Sequence, residues 1–314
     1  MKALRIAALL LLVASPARAA EPGCPGSAQP DPNILFCEDY EDPAPLSQRF
    51  VEYNPDGTSF VRAANVGVGG SYGMKATFQA GQVAAGWLIR SFGRAPSSFY
   101  PPQSHGKQDF REIYWREYVR TQAGWTGSPA KLSRVYIIAG PNWAQAMIGH
   151  LWNSPGSPNL YAEPASGIGT NNQLITTTYN DFANLRWLGG NNRIDPGWTG
   201  SGEGTTPVYA TASSDRWFCV EAHTKLNTPG QHDGLIEFWV DDHHEAKIDG
   251  LNLVGTWQGY GINAVSLENY WNGGAPGVRE RYRDNLIVST QRIGCIGDRN
   301  PVTLGAPGKP TLVP

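Results

Sequence analysis

The chain has 314 residues, 17% of them charged, with a formal net charge of −2. This mild acidity argues against nucleic acid as a partner, since phosphate binding needs a basic face. The 37 glycines and 24 prolines are spread along the chain instead of being gathered in a linker, which argues against a helical bundle and for many strands joined by turns.

Residues 1–20 read as a secretory signal peptide. Lys2 and Arg5 open it, Ile6 to Ala14 is a continuous apolar run, and Ala17-Arg18-Ala19 supplies a small-residue cleavage site. Its removal takes away three basic residues and no acid, moving the formal charge from −2 to −5. No second stretch approaches the length of a membrane helix, so the expected product is secreted or periplasmic, without a membrane partner. Residues 21–297 are expected to form one domain, within the size that all-β units reach, and 298–314 a Pro-rich tail.

Four strand-like segments alternate with period two, which sends successive side chains to opposite faces. In Glu112 to Arg120, Ile113, Trp115 and Val119 share one face, and Tyr114, Arg116, Tyr118 and Arg120 the other. In Trp217 to Asn227, Phe218, Val220, Ala222 and Leu226 look inward; Trp217, Cys219, Glu221, His223 and Lys225 look outward. Ile236, Phe238 and Val240 oppose Glu237, Trp239 and Asp241. Val265 and Leu267 oppose Ser266, Glu268 and Tyr270. One apolar face per strand predicts an all-β sandwich of two antiparallel sheets, with Phe218, Val220, Phe238 and Val240 between them. The other faces carry Trp, Tyr, Arg, Glu and His, unlike an idle surface.

Four cysteines in an exported chain predict two disulfides. Cys24 and Cys295 lie in terminal segments while Cys37 and Cys219 lie inside strand-like runs, which favours Cys24–Cys295 with Cys37–Cys219 among the three connectivities. The absence of a C-x-x-C pair argues against zinc.

Several local motifs have plainer readings. Gly69-Gly70-Ser71-Tyr72-Gly73 matches a nucleophile-elbow string, but a strand-like run follows where that motif needs a helix. Asp241-Asp242-His243-His244-Glu245 suggests a metal cluster, but adjacent histidines on a strand diverge, and a hairpin turn accounts for it. Glu38, Asp39 and Glu41 could meet Asp284 if first and last strands are neighbours, giving a structural Ca²⁺ site; no catalytic metal or cofactor is expected.

The run Phe36-Cys37-Glu38-Asp39-Tyr40-Glu41 resembles the opening strand of secreted concanavalin-like domains. Trp217 to Gly230, followed by Asp233-Gly234 and Trp239-Val240-Asp241, is similar to the central strands of polysaccharide-lyase-like jelly rolls of the heparin-lyase and glucuronan-lyase type. Tyr282 to Thr290 resembles their closing strand. The resemblance implies a concanavalin A-like jelly roll over roughly residues 34–296. Glucuronan-lyase relatives carry a Lys-Leu-Pro-Gly loop where this chain reads Lys131-Leu132-Ser133-Arg134, so the resemblance does not extend to substrate.

The expected function is a secreted polysaccharide lyase cleaving a uronate-containing glycan by β-elimination. That reaction needs a cation for the C5 carboxylate, a base for the C5 proton and an acid for the leaving O4. Arg116, His150, Glu221 and Tyr270 are the expected catalytic set, since in lyases of this fold a Tyr commonly serves as base and acid. Tyr114, Tyr118, Arg120, Trp152, Trp217, His223, Lys225, Trp239 and Glu268 are the expected substrate-binding set, in a monomer whose partner is a polysaccharide or oligosaccharide. Two alternatives use the same residues. One is a glycoside hydrolase with Glu221 and Glu268 as paired carboxylates; the other is a lectin-like module with Trp152, Trp217, Trp239 and Tyr270 as its platform.

Overall fold

The computed structural model describes residues 21–96, 100–153, 156–189 and 199–296. The segments expected to be a signal peptide and a Pro-rich tail lie outside these residues. The strands form two antiparallel sheets. The nine-stranded sheet runs in the order β11 (Thr199–Ser201), β14 (His243–Leu251), β13 (Gly234–Val240), β12 (Phe218–Lys225), β6 (Glu112–Thr121), β16 (Arg279–Ser289), β4 (Gly73–Phe78) and β3 (Phe60–Ala63), with β1 (Ile34–Glu38) also on β16. The seven-stranded sheet runs β10 (Arg186–Trp187), β9 (Leu160–Ser166), β8 (Gln145–Asn153), β7 (Lys131–Ile138), β15 (Ala264–Tyr270), β5 (Ala84–Ser91) and β2 (Glu52–Asn54).

The inward parity read from the sequence holds. Phe218, Val220 and Val240 are each 2% exposed and Phe238 is 0% exposed, all in one core cluster with Trp115, Val265 and Leu267. Burying such a side chain contributes roughly 1.5–3 kcal/mol, so the strands are pinned in register: a one-residue slip would turn each apolar set to water. Asp241 and Asp242, with φ of 51° and 63°, turn β13 into β14, the hairpin expected there. After the 3₁₀ turn Val68–Gly70, β4 begins at Gly73, two residues past Ser71, so the elbow string is a turn and lacks its helix. No helix among the described residues is long and apolar enough to cross a membrane.

All four cysteines are paired, but as Cys24–Cys37 and Cys219–Cys295, each with Cα atoms 5.9 Å apart. This corrects the expected connectivity, and sheet order explains it. Cys37 lies on β1 and Cys219 on β12, with β16 and β6 between them. Three strand spacings are about 14 Å, twice a disulfide's reach of about 7 Å. The N-terminal segment instead folds back on itself, with the Asp31 N–H donating to Gly23 O at 2.9 Å, which brings Cys24 to Cys37. The segment after β16 crosses β12 and brings Cys295 to Cys219.

Candidate functional site

The outer face of the seven-stranded sheet gathers an unusual set of side chains. On β8, His150 and Trp152 share a face; the ladder sets them opposite Arg134 and Lys131 of β7. On the other side of β7, Lys131 is in register with Tyr270 of β15. The irregular segment after β9 lies over this face and contributes Tyr179, Asn180, Phe182 and, on β10, Trp187.

Lys131 is 6% exposed. Its Nζ lies 4.5 Å from the Tyr270 ring centroid, 5.4 Å from Phe182 and 5.7 Å from Trp152. Burial holds its pKa below the usual lysine range, partly offset by Glu268. An ammonium ringed by aromatic faces is poorly hydrated and favours an incoming anion.

Beneath it lies a fixed polar layer. Arg134 is 0% exposed and donates to Glu268 Oε1 at 2.8 Å, to Asn180 Oδ1 at 2.7 Å and to the Tyr179 hydroxyl. Glu268 is thereby committed to an ion pair. His150 Nδ1 lies 2.9 Å from the Glu163 carbonyl. A carbonyl only accepts, so Nδ1 carries the proton and Nε2 keeps a lone pair. That Nε2 is buried with no hydrogen-bond partner among the described residues. Burial, reinforced by Arg134 and Lys131, pushes the imidazole pKa well below its usual value, so His150 is neutral at pH 7. Its ring sits 4.0 Å from Trp152 and stacks on Trp187 at 5.6 Å. Opposite it on β9, Glu163 has its carboxyl pushed up to about 7 by burial.

Tyr270, His150, Trp152 and Glu268 therefore meet on one face. The rest of the expected set does not join them. Arg116, Tyr114, Tyr118 and Arg120 on β6, Glu221, His223 and Lys225 on β12, Trp217 just before it, and Trp239 on β13 belong to the outer face of the nine-stranded sheet. Alternation tells which way a side chain points relative to its own sheet, and not which sheet the strand joins.

These residues have structural partners there. Arg116 grips both oxygens of Glu21 at 2.7 and 2.8 Å and reaches Gly294 O at 3.1 Å. Glu221 accepts the backbone N–H groups of Ile293 and Gly294 at 2.7 and 2.8 Å, and Arg292 Nε at 3.1 Å. The Tyr118 hydroxyl accepts the Ile296 N–H at 2.7 Å. Arg120 pairs with Asp215 at 3.1 Å and lies over Trp217. His223 is held between Glu112 at 2.9 Å and Glu237 at 2.8 Å and stacks on Tyr114 at 3.9 Å. Arg292 covers Trp239 at 4.0 Å. Much of this face is a seat for the two terminal segments. With Glu221 and Glu268 on the outer faces of different sheets, which pack about 10 Å apart, they cannot flank one glycosidic bond as paired hydrolytic carboxylates.

In the carboxylate set expected to hold Ca²⁺, Glu38 on β1 and Asp284 on β16 lie on neighbouring strands. Its oxygens, however, serve protein donors. Glu38 accepts the Tyr40 N–H at 2.8 Å and pairs with Arg49 at 2.5 Å. Asp39 and Glu41 accept the backbone N–H groups of Glu41 and Tyr72. Asp284 Oδ2 accepts the Val68 N–H at 2.7 Å. These side chains do not fit a Ca²⁺ cage, and among the described residues no group of three His, Cys, Asp or Glu is arranged to hold a metal.

Lys131, Arg134, Glu163, Tyr179, Phe182 and Trp187 were missed in the sequence. Tyr179 and Phe182 come from irregular chain and Trp187 from a two-residue strand, where no period marks a face. Lys131 has a separate cause, a strand irregularity described below.

The architecture is that of a concanavalin A-like jelly-roll sandwich of two antiparallel sheets. The PL-14 alginate lyase of Aplysia kurodai superposes with a TM-score of 0.54 at 12% identity, covering 82% of this chain and 99% of that one. An alginate lyase from Chlorella virus superposes with the same TM-score at 14% identity, covering 82% and 100%. At these identities the likeness is one of fold. No family model matches the chain. No curated protein matches it in sequence.

Proposed function

We propose that this protein is a secreted polysaccharide lyase that cleaves an acidic, uronate-containing glycan by β-elimination. The observation that carries the proposal is the Lys131 ammonium beside the Tyr270 ring on one aromatic-lined face. The two superposed structures are alginate lyases, which supports a polyuronate as the substrate class.

In this reading Lys131 takes the C5 carboxylate, and the Arg134–Glu268 ion pair fixes the layer behind it. Neutralising that group lowers the barrier to removing the C5 proton, because the resulting carbanion delocalises into the carboxylate. Tyr270 acts as the base, its side-chain oxygen accepting the proton. The electron pair forms the C4–C5 double bond, the C4–O4 bond breaks, and the phenol returns the proton to O4. Trp152 and Phe182 flank the sugar. Neutral His150 fixes the Trp152 ring from below and adds no charge to compete for the carboxylate. The chemistry proposed uses no metal, and the chain acts as a monomer.

The test is incubation with mannuronate-, guluronate-, glucuronate- and galacturonate-containing polymers, followed by ultraviolet absorbance of the conjugated product. Unsaturated oligosaccharides are the expected result; an enzyme inert on every polymer overturns the proposal. One observation favours a lectin-like alternative: Arg134 and His150 are fully buried, leaving mainly rings to meet a ligand. Retention of a polyuronate without product would point there.

A further inference from the structure

The space between the sheets is lined mainly by apolar side chains, with a polar cluster under the Lys131–Tyr270 pair. There β16 turns two arginines inward, Arg281 and Arg283, both 0% exposed. Arg283 is paired with Glu117. Arg281 pairs with no carboxylate among the described residues: it bonds Asn269 Oδ1 at 2.7 Å, the Tyr209 hydroxyl at 3.1 Å and backbone carbonyls of the opposite sheet. Burying two guanidinium groups against one carboxylate is costly, and such an arrangement calls for a reason.

The carbonyls chosen supply it. Arg281 donates to Lys131 O at 3.0 Å and to Glu268 O. Arg283 donates to Leu132 O at 2.8 Å and Glu268 O at 2.5 Å. Each lies at a break in the ladder, between Lys131 and Ser133 on β7 and between Glu268 and Tyr270 on β15. On β7 the break decides which way a side chain faces. Val135 and Ile137 belong to the core between the sheets, and Ser133 Oγ accepts Trp115 Nε1 there at 3.0 Å. Regular alternation would send Lys131 inward with them. Leu132 also lies in that core, so Leu132 and Ser133 both face inward against Leu151, as in a bulge. That extra inward residue turns Lys131 out onto the face it shares with Tyr270.

We infer that Arg281 and Arg283 are positioning residues for the Lys131–Tyr270 site, holding the bulge that aims Lys131 outward. The inference rests on the proposed lyase reading for its functional meaning but not for its geometry. Arg281 is the one to test, because replacing Arg283 would strand Glu117 as an unpaired buried charge. Arg281→Gln removes the fork, and Arg281→Lys keeps the charge while losing the second arm, should the first variant fold poorly.

The readout is the lysine ε-carbon signal in selectively ¹³C-labelled protein, with the Lys131 resonance assigned by its loss in Lys131→Gln. In the native protein the surrounding rings should set that resonance apart. In a folded Arg281 variant it should move toward the other lysines, and kcat/KM on the polyuronate should fall about 10–100-fold, the scale of a 1 Å misplacement. A folded variant with an unmoved Lys131 signal and unchanged rate overturns the inference, whatever its thermal midpoint. If the native enzyme makes no unsaturated product, the lyase reading fails, and the lysine signal alone still decides the placement.

Discussion

Arg116→Met separates a catalytic arginine from a structural one. Arg116 is 1% exposed and Glu21, its bidentate partner, is 7% exposed. Removing one member of such a pair commonly costs about 3–5 kcal/mol, because the other is left charged in a dry setting. Here the lower figure applies. Glu21 stands three residues before Cys24, which the Cys24–Cys37 bridge fixes, and a shift of that short segment can turn its carboxylate into water. A loss of about 3 kcal/mol lowers the thermal midpoint by roughly 6–12 °C for a domain of this size. Adding Glu21→Gln should recover a large part of it, since the stranded charge is gone. Turnover per folded molecule should not change in either variant. The assay is thermal unfolding beside initial rates of unsaturated product, below the lowest midpoint. An Arg116→Met enzyme with an unchanged midpoint and a tenfold lower rate would refute the structural assignment.

On the opposite face, Tyr270→Phe keeps the ring beside Lys131 and removes the proton carrier, so initial rates should fall about 10²–10⁴-fold while oligosaccharide affinity by calorimetry is nearly unchanged. Trp152→Ala should weaken that affinity, whereas Trp239→Ala, beneath Arg292 on the other sheet, should leave it unaltered. Non-reducing peptide mapping should recover Cys24 with Cys37 and Cys219 with Cys295. Glu163 and His150 pull stability in opposite directions with pH. The Glu163 carboxyl is raised from 4.5 to about 7, so the folded state holds more protons than the unfolded one in that window and loses stability as pH rises through it. His150 is shifted below its usual 6.5, so the folded state holds fewer protons and loses stability as pH falls below about 6.5. Glu163→Gln should therefore be more stable than native protein at pH 8 and show no such gain at pH 4.5, measured by denaturant unfolding.

Which residues face inward was legible because the signal is local. Phe218, Val220, Phe238 and Val240 alternate with polar neighbours, and an extended chain leaves them no other arrangement. Which strands share a sheet was not legible. The order β12-β6-β16 against β8-β7-β15 is set by pairings between segments far apart in sequence, and nothing in Arg116 or Glu221 distinguishes a glycan face from a seat for the termini. The expected disulfides failed for the same reason. Lys131 is the sharper case, because there the local signal was present and misleading. Its parity with Ser133, Val135 and Ile137 points it into the core, and only the bulge at Leu132–Ser133 reverses it. That bulge is held by Arg281 and Arg283, about 150 positions away in the chain. The side chain best placed to meet a carboxylate thus owes its direction to residues that no reading of its own strand includes. The outward turn of one lysine and the burial of two arginines are one structural fact.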